Sequence, residues 1–318
     1  MATASLQTSL SVRGGLHVPA ARLWLDGDTR RGIGFLAQFD GQRRRRSRVL
    51  CSPVVAALLG QGGATPLAVP YGRPFQLGPV AVELLPGGAS AGSALLRTHI
   101  GEQTYLFAGA ARLDTLPTAE PLALREADVL VLDAQLAETQ MLSAAELQGE
   151  LTLAQALVQG GVTLVWLLEA PTLALDVLAW ADANVPVWLA PSLARLVRRF
   201  RQTGGELPPA RAVGAELPAG GLVLWPLDRA DRLPPARGDL RRWLVAERAG
   251  ADTLAPLACE RGLAFSRRSS GTALDELARR SGAAHVAAYG AGAPALCARL
   301  RLGGLDCSVL GQAQLRLV

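Results

Sequence analysis

From residue 143 to about residue 205 helix signals and strand signals alternate without a break, and this alternation limits the fold more than any other feature. Ser143-Ala144-Ala145-Glu146 is a capping-box pattern, in which the Ser hydroxyl and the Glu carboxylate each satisfy a backbone N–H of the first turn. It predicts a helix running to about Gln159. Val162 to Leu168 reads as a strand, Thr172 to Asn184 as a helix and Val185 to Leu189 as a strand. Ser192 is placed to cap a further helix that stops near Gly204-Gly205. Helices between consecutive strands imply a parallel sheet, because a parallel neighbour is reached only by a crossover. Glu206 to Pro218 and Asp228 to Arg237 are rich in Pro and Arg and read as connections.

The flanks differ. The first third is β-rich, with strand signals at 22–26, 48–51, 80–85, 94–100 and 104–107 joined by Gly-rich connections. Ser52-Pro53 starts a short helix to about Gly60, with Ser as N-cap and Pro at the first helical position. Asp128 to Leu132 is an apolar run bounded by Asp128 and Asp133, the pattern of a buried strand. After residue 262 strand–helix units return: a strand at 263–266, a helix at 272–281, a strand at 285–289, a helix from Pro294 to Leu302 and a strand at 307–310.

Half of the 318 residues are hydrophobic, enough for one elaborated domain or two closely joined ones. No apolar run reaches the length of a membrane span, so no membrane partner is expected. Met1 to Gly15 has one Arg and no apolar centre, so no signal peptide is expected and the protein is read as cytoplasmic. Cys51, Cys259, Cys297 and Cys307 are widely spread and read as buried thiols in a reducing compartment. All 32 basic residues are Arg, and the net charge is +5, which permits a nucleic-acid partner without requiring one. No Walker A loop or Gly-x-Ser-x-Gly elbow is present. Gly290-Ala291-Gly292-Ala293 before Pro294 is a weak anion-binding signal.

The ordered blocks resemble a known family. Leu16-His17-Val18-Pro19 to Trp24-Leu25-Asp26, Arg48 to Leu59, Pro70-Tyr71-Gly72 with Leu77-Gly78, Pro86-Gly87-Gly88-Ala89-Ser90-Ala91-Gly92-Ser93-Ala94, Gly262 to Ser266 and Tyr289-Gly290 are similar in order and character to motifs of the metallo-β-lactamase-fold, β-CASP-type nucleases. These include bacterial ligase-associated DNA exonucleases and RNA 3′-end processing exonucleases. The resemblance implies an α/β protein, a metallo-β-lactamase αββα sandwich with an inserted smaller α/β (β-CASP-like) domain. It implies a first domain over 1–150 and 238–318, with 151–237 inserted. It also marks what is missing. Where the family carries His-x-His-x-Asp-His, this chain has Leu36, Ala37, Gln38, Phe39, Asp40 and Gly41. Further family His positions fall on Ala89, Arg268 and Tyr289, and the metal-bridging Asp falls on Ala110. Only Asp40 of the first motif is kept, and Asp133 stands where the family has a Glu. The family's hydrolysis depends on metal ions; without these ligands neither a metal cofactor nor that catalysis is expected.

The three histidines, His17, His99 and His285, have no His at the spacing of a ligand pair and read as packed or surface residues. Arg267 and Arg268 put two cations where a carboxylate and an imidazole would sit. They either offer phosphate a fixed positive charge or fill the cleft. Arg43, Arg44, Arg45, Arg46 and Arg48 form a phosphate-contacting strip or a solvated loop on the rim of that cleft. The helix after Ser192 would turn Leu193, Leu196, Val197 and Phe200 inward and Arg195, Arg198, Arg199 and Arg201 outward. Three functions are consistent with these residues. The first is an inactive homologue that binds DNA or RNA, or a repair or processing partner such as a ligase, helicase or active paralogue. The second is a structural or regulatory subunit with no nucleic-acid role. The third is a hydrolase with a rebuilt site on Asp40, Asp114, Asp128 and Asp133.

Overall fold

The structure, a computed structural model, describes residues 10, 15–25, 32–41, 48–60, 64–236 and 238–311. The fold is mixed α/β and divides into two compact units. Unit 1 comprises residues 1–113, 120–140 and 268–318; unit 2 comprises 114–119 and 141–267.

In chain order, unit 1 opens with β1 (Leu16–Val18), β2 (Leu23–Leu25), β3 (Ile33–Phe35), β4 (Arg48–Cys51), helix α1 (Pro53–Leu59) and β5 (Thr65–Ala68). It continues with β6 (Phe75–Leu77), β7 (Val80–Pro86), β8 (Ala94–Ile100), β9 (Gln103–Phe107) and β10 (Val129–Asp133). Unit 2 follows with α2 (Ala144–Gln159), β11 (Thr163–Leu168), α3 (Leu173–Trp180), β12 (Val187–Leu189), α4 (Pro191–Gln202) and β13 (Arg211–Ala212). It ends with β14 (Gly221–Pro226), β15 (Leu240–Ala246), α5 (Ala251–Leu254) and β16 (Arg261–Ala264). The chain then returns to unit 1 with α6 (Thr272–Ser281), β17 (His285–Tyr289), α7 (Ala293–Leu302) and β18 (Cys307–Val309).

Unit 1 has two sheets, β1-β2-β3-β4-β5 and β18-β17-β10-β9-β8-β7-β6. Side-chain alternation sorts their residues into layers. In β10, Val129 and Val131 face a core shared with Leu23, Phe35 and Leu50 of the first sheet. Leu130 and Leu132 face the other way, onto Leu274 and Leu277 of α6 and Leu296 and Leu300 of α7. Beyond the first sheet, Leu36, Val49 and Cys51 pack on Val55 of α1. The layers are therefore helix, sheet, sheet, helix.

Unit 2 is one sheet, β13-β12-β14-β11-β15-β16, with every pairing parallel. All six residues of β11 and of β14 are buried, as central strands covered on both faces require. The capping box at Ser143 and Glu146 forms, and α2 buries Leu147, Leu151, Ala154 and Val158 along one stripe. The two ends of unit 2's long segment meet, since Leu142 N–H donates to the Ala264 carbonyl at 2.8 Å.

Several expectations are corrected. β15 and β16, which the sequence reading placed with the flanking domain, hydrogen-bond into the parallel sheet, so the second unit runs to Arg267 rather than to residue 237. The third helix ends at Trp180, not Asn184. The next begins at Pro191 with Ala190 as N-cap, and Ser192 is not the cap, because Pro takes the first helical position. Cys297 of α7 and Cys307 of β18 are paired as a disulfide, with Cα atoms 5.3 Å apart, so they are not free thiols. Among the described residues no helix is long and apolar enough to cross a membrane.

Candidate functional site

The unit 1 positions that the resemblance aligns with metal ligands gather beyond the C-terminal ends of β3, β7, β9, β10 and β17. The turn from Gly87 to Ser93 organises this rim. Ser93 Oγ accepts the N–H groups of Ala89 (2.9 Å) and Ser90 (3.2 Å), and Gly87 N–H donates to the Ser93 carbonyl at 2.9 Å. A Cβ on Gly87 would stand 2.5 Å from the Ala110 carbonyl, so the turns carrying Ala89 and Ala110 touch. A Cβ on Gly88, at φ +74°, would stand equally close to the Arg112 carbonyl. Only glycine combines that φ with that approach.

Neighbouring elements lock onto the turn. Ser52, the N-cap of α1, donates to the Gly92 carbonyl at 2.6 Å. Gly92 N–H donates to Glu120 at 3.3 Å. Tyr71 Oη donates to the Ser93 carbonyl at 2.9 Å. Burial foremost, and then the Glu120 charge, push the Tyr71 phenol well above its ordinary pKa, so it stays a donor. Burial alone pushes the Cys51 thiol up to about 12. The Ala37 carbonyl accepts Ala94 N–H at 2.7 Å and ties the first sheet to the same rim.

Here the structure separates the sequence candidates. Ala37, Ala89 and Ala110 lie in one buried cluster, with Tyr289 packed against it. Leu36 does not join them; it belongs to the cluster with Val49, Cys51 and Val55 on the opposite side of the first sheet. Neighbours in an extended segment face opposite ways, so Ala37, not Leu36, is the residue of this segment on the rim. Gln38 and Asp40 are half-buried and Gly41 is exposed. Gln38 Oε1 and Ser90 Oγ are buried without a protein hydrogen-bond partner.

Arg268 and Arg267 part company. In unit 1, Arg268 Nη1 reaches Asp133 Oδ2 at 2.5 Å. Asp133 also accepts Gln135 N–H at 2.9 Å and pairs in register with Tyr289. Arg267 belongs to unit 2, is 9% exposed and donates to Thr172 Oγ1 at 2.6 Å. The two consecutive arginines thus reach different partners, each within its own unit. Arg48 is exposed at the start of β4; Arg43, Arg44, Arg45 and Arg46 lie outside the described residues.

The residues present do not fit a dinuclear metal centre. Ala89 and Ala110 have no donor atoms, and the carboxylate of Asp133 is matched to a guanidinium. Among the described residues no three His, Cys, Asp or Glu side chains group to hold an ion. The four carboxylates of the rebuilt-site reading do not assemble. Asp114 accepts Ala144 N–H (2.6 Å) in unit 2, and Asp128 accepts Thr104 N–H (2.7 Å) at the far end of β10 from Asp133.

No family model matches the chain, and no curated protein matches it. Ninety-two chains of solved structures match it. One is the crystal structure of a protein of unknown function from Enterococcus faecalis V583. It is 12% identical, with a TM-score of 0.52, over 83% of this chain and 76% of that one.

Proposed function

We propose that the chain is a degenerate member of the metallo-β-lactamase-fold, β-CASP-type nucleases, which has given up metal-dependent hydrolysis and serves as a nucleic-acid-binding accessory protein. The observation that carries this reading is the Arg268–Asp133 ion pair, together with buried Ala89 and Ala110, which have no donor atoms, at two further ligand-aligned positions. The guanidinium puts a fixed positive charge at a position the resemblance aligns with a metal-binding His, and Asp133 is matched to it. The glycine and serine framework of the 87–93 turn stays intact around it. The helix–sheet–sheet–helix layering of unit 1, interrupted in sequence by a parallel α/β unit, supports the family assignment.

Binding then falls to surface arginines. Arg195 and Arg198 of α4 are exposed opposite buried Leu193, Leu196, Val197 and Phe200, and Arg48 is exposed on unit 1. An end-labelled DNA duplex with a single-stranded overhang tests the proposal. Retardation without shortening, with or without Mn²⁺, and fading as salt rises, is the expected result. Replacing Arg195 and Arg198 by Gln should weaken binding and reduce the salt slope by about one for each phosphate no longer neutralised. Shortened product with Mn²⁺ would overturn the loss of catalysis. Absence of retardation would leave a protein-partner role on the same fold.

A further inference from the structure

At the opposite end of the seven-stranded sheet, three side chains form a relay that the rim chemistry does not use. His285 opens β17 and is 7% exposed. Its Nε2 lies 2.8 Å from Ser308 Oγ, and its Nδ1 lies 2.8 Å from Asp306 Oδ2. With Nδ1–H donated to the carboxylate, Nε2 is left to accept the Ser308 hydroxyl proton. Asp306 fixes that tautomer and steadies the imidazolium. His285 pairs in register with Val129, whereas Tyr289 pairs with Asp133. Four residues of strand separate the two ends, about 13 Å at the rise of a β-strand.

The edge of the sheet supplies what a nucleophilic serine needs next. β18 is the terminal strand in the order. Val286 N–H donates to the Asp306 carbonyl and Leu310 N–H to the Ala288 carbonyl, each at 2.8 Å. Even-numbered residues of this segment therefore bond inward to β17, and the peptide groups of Cys307 and Val309 point outward. The Cys307 carbonyl agrees, since it accepts Nε of Arg301 at 2.9 Å, and Arg301 Nη2 as well. The N–H that follows the serine, that of Val309, is thus turned away from β17, towards the side of β18 that no other described strand pairs with, as in acyl hydrolases whose oxyanion donor follows the nucleophile. Arg301 fixes a positive charge one residue from Ser308.

We propose that Ser308, His285 and Asp306 form a metal-independent acyl-transfer site for carboxylic esters. Ser308 Oγ bonds to the acyl carbon as its proton passes to His285 Nε2 and the carbonyl electron pair moves to oxygen, towards Val309 N–H and Arg301. Collapse breaks the ester C–O bond, and the leaving alcohol takes the proton from His285. Water then attacks the acyl-serine by the same route, releasing the acid and restoring the hydroxyl. Arg301 favours esters that carry a negative charge. The site is independent of the rim, and its test runs in chelator.

The full chain is treated with an alkyl fluorophosphonate in EDTA and mapped by peptide mass. It is also assayed with 4-nitrophenyl acetate. The expected result is an adduct on Ser308 and turnover that falls by about 10³-fold or more in Ser308→Ala and His285→Gln. Asp306→Asn should lower turnover while leaving the circular dichroism unchanged. Folded wild-type protein with no adduct on Ser308, or Ser308→Ala turning over at the wild-type rate, would overturn the assignment. Because the label is read on wild-type protein, a variant that fails to fold does not rescue it.

Discussion

The two ends of the seven-stranded sheet use the same strands for opposite purposes. At the C-terminal rim, beyond β10 and β17, the backbone is closely built: glycines at 87 and 88 admit neighbouring carbonyls, and Ser93 holds two amides. Among the side chains there are Ala89 and Ala110, which have no donor atoms, and a matched ion pair, Arg268 with Asp133. At the N-terminal end of β17 and of its neighbour β18, the terminal strand of the order, the backbone is ordinary strand, and the reactive groups are dense: His285, Asp306, Ser308 and Arg301. A closely built framework need not carry reactive groups, while reactive side chains can align on strands that give no sign of a site.

The contrast can be broken or sharpened, starting where the largest effect is expected. Gly88→Ala combines an unfavourable φ with a clash against a backbone carbonyl and should cost at least about 3 kcal/mol in urea unfolding. A near-neutral result would mean that the rim is not tightly built. Arg268→Ala should cost about 1–2 kcal/mol, because it strands a half-buried carboxylate. The variant should gain no thermal stabilisation from Mn²⁺; a rise in Tm with Mn²⁺ would show latent ligands at the rim.

Cys51 provides a pH test behind the first sheet. Its native pKa, about 12, lies above its ordinary value of 9.0. Its stabilising contribution is therefore complete below pH 9 and declines as pH rises towards 12, by roughly 1 kcal/mol over the first unit. Wild type should lose its margin over Cys51→Ala across that window in parallel urea titrations. The smallest effect belongs to the other end. Ser308→Ala removes one hydrogen bond and should change stability by no more than about 1 kcal/mol, while abolishing the fluorophosphonate adduct. A large loss of stability with no adduct in wild type would make the relay a structural bond and erase the contrast.

Local chemistry made part of this fold legible. The capping box at Ser143 and the Ser52-Pro53 start signal each produced the helix they announce, because an N-cap is decided within one turn. Ser192 misled, since the Pro before it claims the first helical position. β15 was illegible: Leu240-Arg241-Arg242-Trp243 interrupts its apolar run with charge, and pairing with β11 and β16 makes it a strand. At the rim, sequence order indicated the turn and the absent ligands, but not which way Leu36 and Ala37 face, which the pleat decides. It also treated Arg267 and Arg268 as a pair, although consecutive residues here enter different units. The Ser308 relay lies on two strands joined by a helical crossover. His285 is 21 residues from Asp306 and 23 from Ser308, and no local pattern links them.

The hydrogen bond between Leu142 and Ala264 has a consequence for how this chain can change. It closes unit 2's long segment on itself, so β10 before it and α6 after it need only a short join where some 120 residues now intervene (143 to 263). Loop-closure entropy grows slowly with length, and segments with adjacent ends are the ones that domain insertion tolerates. The parallel sheet is in this sense a cassette: it can be exchanged, shortened or duplicated by recombination at two neighbouring points, while the 87–93 turn and the β17–β18 edge are inherited separately.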